Sequence, residues 1–180
     1  NMDFLSRELA EYIEARLRVQ VRLVMDISWQ EREHLLDSGQ IDFMWICGLP
    51  YVRKAYEKPG QFLPLVAPVM AGERYQNKPV YFSDVVVHRD SPYKKLDDLD
   101  GKTWVYNEPG SHSGYGVVRY ALAIRGKSLE FFGKVIESGS HQKSLQLILK
   151  REVDASAIDS TVLEQEISDA PEIADRIRII

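Results

Sequence analysis

Apolar and polar positions alternate along this chain in two rhythms, and the rhythm switches repeatedly. Leu5, Leu9, Tyr12, Ile13 and Leu17 recur at three- and four-residue spacing, which predicts an amphipathic first helix. Val19, Val21, Leu23 and Met25 then alternate with mostly polar neighbours, the pattern of a strand with one better-buried face. Ser28 followed by Glu31 is a capping-box signature and Gly39 is a stop, so a helix lies between them. The run Ile41-Asp42-Phe43-Met44-Trp45-Ile46 is nearly all apolar, as parallel strands covered on both faces are. Gly48-Leu49-Pro50 turns the chain into a helix from about Tyr51 to Tyr56, and Phe62 to Pro68 reads as a short strand.

A longer strand runs from Val80 to His88 and ends at Asp90-Ser91-Pro92. Strands at Lys102–Tyr106, Lys134–Glu137 and Val153–Ile158 follow, with helices at Ser113–Arg125 and Ser140–Lys150 between them. A last helix begins near Ser160, and Arg176–Ile180 reads as a final strand. Strands alternating with helices predict an α/β fold. The alternation restarts after Val80–His88, as it would in two lobes joined by extended crossings. The chain opens on a helix and stops on an apolar strand, so both ends read as cut from a longer protein.

Composition narrows the function classes. With 180 residues and a hydrophobic fraction of 44%, the chain can build an ordinary core in one domain or two small lobes. Its net charge of −4 argues against nucleic acid or anionic lipid as a partner. The aromatic residues also lack the basic neighbours of a base-stacking platform. An acidic protein that binds an anion must do so locally, through directed hydrogen bonds. Cys47 is the only cysteine, which excludes an internal disulfide, and as a buried thiol it is expected to be inert. His34, His88, His112 and His141 are too scattered to suggest a metal site by spacing. No apolar run is long enough to cross a bilayer, and no signal peptide opens the chain, although a cleaved one leaves no trace.

The turn Ser111-His112-Ser113-Gly114 stands between a strand and a helix carrying Val117, Val118, Ala121 and Leu122 inward. The first N–H groups of a helix lack partners and carry the positive end of its dipole, so such an end receives phosphate or sulfate without a lysine. Two serine hydroxyls add donors, and Gly114 allows close approach to the backbone. Taken as residues alone, Ser111 or Ser113 reads better as an ordinary N-cap, since capping serines are common. Asp159, after the strand ending at Ile158, reads either as a helix cap or as an acceptor for a ligand amine or proton.

Six strings in order resemble the phosphate/phosphonate-binding proteins of ABC importers. They are Ile41–Gly48 with Pro50-Tyr51-Val52, Tyr81–Val87, Asp90-Ser91-Pro92 with Leu96–Lys102, Ser111–Tyr115, Ser138-Gly139-Ser140-His141, and Asp154–Ser160. The resemblance implies a two-lobed, type II periplasmic-binding-protein fold, truncated at both ends. Residues 1–82 would form the first lobe, with 165–180 returning to it, and 83–164 the second. It implies that Ser111, His112 and Ser113 hold a phosphorus oxyanion, that His141 donates to it, and that the Tyr81 hydroxyl reaches it. Cys47, Gly48 and Tyr51 would line the cleft from the first lobe. His112 departs from the threonine or similar small residue expected between the serines; its N–H still serves, while its ring narrows or recharges the pocket.

The expected function is capture of phosphate, phosphite or a phosphonate-like ligand, without a cofactor. The expected setting is periplasmic or extracytoplasmic, as a monomer delivering to the membrane subunits of an ABC importer. Two alternatives share these residues: a ligand-sensing domain of a signalling protein, and an enzyme using Ser113, His141 and Asp159 as a triad. The triad is disfavoured because Ser113 lacks the glycine two positions earlier that a nucleophile elbow needs.

Overall fold

A computed structural model describes residues 3–180. The chain divides into two compact units, one ending at Trp45 and the other running from Ile46 to Ile180.

In the first unit, α1 spans Asp3–Leu17 and α2 spans Trp29–Asp37. Ser28 caps α2, its Oγ accepting the Glu31 N–H at 3.2 Å. Gly39 ends it in the left-handed region at φ 69°, while the Gly39 and Gln40 amides close the last turn on Leu36 and Leu35. Residues 19–25, expected as a strand, form no regular element and pair with no strand among the described residues. Val19 and Leu23 are exposed there. Alternation marked a face to be covered, but a strand also needs a ladder partner.

The second unit opens with α3 (Gly48–Glu57), which begins a turn earlier than Tyr51 because Gly48-Leu49-Pro50 is its first turn. Proline is tolerated there, where the N–H would be unsatisfied anyway. The expected strands at 41–46 and 62–68 are also absent as ladders, and Leu63, Leu65, Val66 and Val69 stand exposed. The five strands that do pair are β1 (Ser83–His88), β2 (Thr103–Tyr106), β3 (Lys134–Glu137), β4 (Ala155–Asp159) and β5 (Ile177–Ile179). Their order is β3-β2-β4-β1-β5. Strand β2 runs parallel to β3 and β4, whereas β1 runs antiparallel to β4 and β5.

Helices α4 (Val117–Ala123), α5 (His141–Leu149), α6 (Ser160–Asp169) and α7 (Glu172–Arg176) complete the unit. Period-two alternation sends neighbouring strand residues into two separate cores. Val86, Val105 and Ile158 join Leu145, Ile148, Leu163 and Ile173 in one. Val87, Trp104 and Ala157 join Val118, Leu122, Phe131 and Phe132 in the other. Both faces of the sheet are thus covered, as parallel strands require.

Residues 46–82 share a compact unit with the sheet. The buried Tyr75 ties them in: its hydroxyl lies 2.7 Å from Glu164 Oε1 and 3.0 Å from Ser160 Oγ, while Arg74 forks onto Asp84. Residues 165–180 likewise stay with the sheet, because β5 pairs with β1 and Ile173 and Ile177 are buried in its core.

Candidate functional site

The topology gathers the chemistry at one end of the sheet. Parallel strands β2, β3 and β4 all finish there, and their exits supply Ser111–Gly116, Ser138–His141 and Asp159. Because β1 is antiparallel, its start arrives at the same end: Ser83 lies opposite Asp159, with Tyr81 just before it. Ligands of open α/β sheets bind beyond these carboxyl ends.

The Ser111 turn is not a plain α-helical start. His112–Gly116 form a π-helical turn before α4, closed by the Gly116 N–H on the Ser111 carbonyl at 3.0 Å. Such wide turns occur frequently at functional sites. Ser111 Oγ accepts the Gly114 N–H at 3.0 Å, so this buried serine does act as the N-cap. Ser83, which the sequence reading passed over, donates to the Ser113 carbonyl at 2.6 Å and fixes the turn to β1. The close neighbour that Gly114 admits is within the protein: a Cβ there would lie 2.0 Å from Asn107 Oδ1 and 3.0 Å from His141 Cε1. At Gly116 a Cβ would meet Leu49 of α3 at 2.7 Å.

Ser113 is the meeting point. Its Oγ lies 3.3 Å from His141 Nε2 and 3.4 Å from Asp159 Oδ2. The other Asp159 oxygen caps α6, accepting from the Thr161 N–H at 2.9 Å and its hydroxyl at 2.7 Å. Asp159 therefore caps α6 with one oxygen and reaches the Ser113 hydroxyl with the other. Burial lowers the His141 pKa from its ordinary 6.5 to about 4, against the pull of Asp159, so the imidazole is neutral at neutral pH. A hydroxyl has one proton: when Ser113 donates it to Asp159, its oxygen is left to accept from His141 Nε2–H. A hydrolytic triad places its carboxylate on the far ring nitrogen of the histidine. Here both groups converge on the hydroxyl instead.

Tyr81 lies two residues before β1. Its hydroxyl is buried without a well-formed hydrogen bond, and its pKa is pushed up, chiefly by burial and further by Cys47 and Asp159. The His112 ring stands edge-on to Tyr81, with centroids 6.3 Å apart, and its Cδ2 lies 3.9 Å from where a Gly48 Cβ would be. Cys47 is exposed at the N-cap of α3, not buried as its apolar run suggested. Tyr51 lies partly exposed on α3 and makes no hydrogen bond to the Ser113 group. Among the described residues, no cluster of histidine, cysteine, aspartate or glutamate is placed to hold a metal ion.

A mixed sheet with helices on both faces and polar groups at one strand end is the architecture of type II periplasmic binding proteins. The chain belongs to the family of ABC transporter, phosphonate, periplasmic substrate-binding proteins, whose profile matches residues 3–180. It is 25% identical over 147 residues to the phosphonates-binding periplasmic protein of Escherichia coli, covering 79% of this chain and 41% of that one. It shares the fold of PhnD1 from Prochlorococcus marinus, solved with methylphosphonate, at a TM-score of 0.76 and 19% identity; 100% of this chain and 67% of that one are covered. A binding-protein component of an ABC phosphonate transporter from Pseudomonas aeruginosa matches at a TM-score of 0.78 and 18% identity, over 100% and 59% of the two chains. The chain thus spans less than half the length of its curated relative.

Proposed function

We propose that this chain is ligand-binding material of an extracytoplasmic solute-binding protein, capturing phosphate, phosphite or a small phosphonate for the membrane subunits of an ABC importer. The observation that carries the reading is the convergence on Ser113, within a chain of this family. Its hydroxyl meets the neutral imidazole of His141 and the carboxylate of Asp159 at the strand ends, and the unpartnered phenol of Tyr81 lies just before β1. Contacts of 3.3 and 3.4 Å leave the Ser113 hydroxyl loosely held by its protein partners. It can turn to a ligand at little cost. These donors are local, which suits an acidic protein of net charge −4. Asp159 then reads the ligand: with the Ser113 proton turned away, its Oδ2 accepts a P–OH or an ammonium group and repels a fully ionised oxygen. The Asp159 carboxylate contacts the Ser113 hydroxyl itself, which favours binding over a hydrolytic relay.

Isothermal calorimetry with phosphate, phosphite, methylphosphonate and 2-aminoethylphosphonate tests this. At least one should bind the wild-type chain, and Ser113→Ala should weaken it roughly 10- to 150-fold, as loss of a hydrogen bond to a charged group does. Asp159→Asn should reorder the four ligands. No binding by any of them, or unchanged affinity in Ser113→Ala, would remove the basis of the proposal.

A further inference from the structure

One polar side chain at this strand end has no task in the site as described. Asn107 is the residue that leaves β2, and it is buried, with 7% of its surface exposed. Its backbone carbonyl accepts the Gly139 N–H at 2.7 Å, joining the exits of β2 and β3. Its side-chain Oδ1 is sealed from solvent and has no hydrogen-bond partner. Leaving a buried amide unpaired costs stability, and native proteins rarely retain one without a use.

The position of the amide indicates the use. Oδ1 lies 2.0 Å from the point a Gly114 Cβ would occupy, and His141 Cε1 lies 3.0 Å from the same point. The amide therefore sits beside the π-helical turn and the imidazole whose Nε2 contacts Ser113. Glycine at 114 is what admits it so closely. A carboxamide also suits a site for weakly acidic oxyanions, since it offers N–H or C=O without a charge. Turning it over exchanges its donor and acceptor ends.

We propose that Asn107 is a ligand-contacting residue, its hydrogen-bonding capacity held open against Gly114 and met by a bound phosphorus oxyanion. This rests on the oxyanion-binding reading of the Ser113 site. On ligand entry the amide rotates to place an N–H on a ligand oxygen, or its carbonyl on a P–OH, while Gly114 leaves room for the turn.

The test pairs calorimetry, using methylphosphonate and inorganic phosphate, with thermal melts of the unliganded chain. Asn107→Ala should bind about 10-fold more weakly, with an unliganded Tm unchanged or raised because an unsatisfied group has gone. Asn107→Asp, nearly isosteric but acceptor-only and anionic, should bind more weakly still. If the wild type binds and Asn107→Ala binds equally well, the role of Asn107 is refuted while the site reading stands. An Asn107→Ala chain that melts several degrees lower and keeps its affinity would make Asn107 a packing residue. If the wild type binds neither probe and none of the broader ligand set, the site reading itself fails and this inference falls with it.

Discussion

Leu145 and Leu65 are the same residue, each in a run with other apolar residues, yet one is 0% exposed and the other 67%. Leu145 sits on α5 against Val105, Ile158 and Leu163 of the sheet core. Leu65 belongs to an irregular stretch, 62–71, that makes no backbone–backbone hydrogen bond among the described residues. A hydrophobic run states a demand for cover. Whether that demand is met depends on partners elsewhere in the chain, which the run does not encode. The sheet half meets it by pairing β1 with β4 and β5 and laying helices on both faces. Residues 62–71 have no such partner among the described residues.

The largest expected effect tests this contrast directly. Leu145→Ala should destabilise the chain by about 2–5 kcal/mol, since a well-packed core cannot collapse around the missing atoms. Leu65→Ala should stay within about 0.5 kcal/mol, the usual range for an exposed position. Urea denaturation measures both. Hydrogen exchange should show the same division, with β1 and β4 amides protected and those of 62–71 exchanging fast. Equal costs at the two leucines would mean that 62–71 is packed after all.

The same contrast separates what the sequence made legible from what it did not. From Val80 onward, every expected helix and strand is present within a few residues, because alternation and capping there coincide with real neighbours. β3 matches at both ends, and Ser140 caps α5 by accepting the Lys143 N–H. Before Val80, the helices were legible from spacing and from Ser28, but the strands were not, since pairing is a long-range property. Ser113, His141 and Asp159 are legible because they stand at strand exits in a recognisable order, and the structure brings them together. Ser83 and Asn107 are not legible because their placement depends on register and close packing. Only the antiparallel placement of β1 brings Ser83 opposite Asp159. Nothing local to Asn107 announces that its amide lies against Gly114.

A smaller effect should come from the joint between the irregular stretch and the sheet. Tyr75→Phe removes the hydroxyl that meets Glu164 and Ser160, while Ser160 Oγ keeps the Phe82 N–H at 2.9 Å. The loss should be about 1–2 kcal/mol, in the range of one buried hydrogen bond. Limited proteolysis should locate it: cleavage between 62 and 82 should speed up more than cleavage within β1–β5. Uniform acceleration would mean that Tyr75 supports the whole core and not this joint.

The smallest expected effect is a pH dependence confined to the sheet end. Burial lowers the His141 pKa from 6.5 to about 4, so in this window the unfolded chain binds a proton that the folded chain refuses. Stability must then rise with pH: it is fully present above the unfolded value and is lost as acid forces the buried imidazole to charge. Between about pH 7 and pH 5.5 this one group should remove about 1 kcal/mol. His141→Asn keeps a polar side chain of similar reach but cannot titrate, so thermal melts of the variant should lose that part of the slope. A saturating oxyanion should flatten the wild-type slope by the opposite route, since an anion beside His141 stabilises its charged form. Unchanged slopes in both experiments would show that His141 titrates as it does in the unfolded chain, and that the strand ends are wetter than the packing of Ser113, Gly114 and Asn107 indicates.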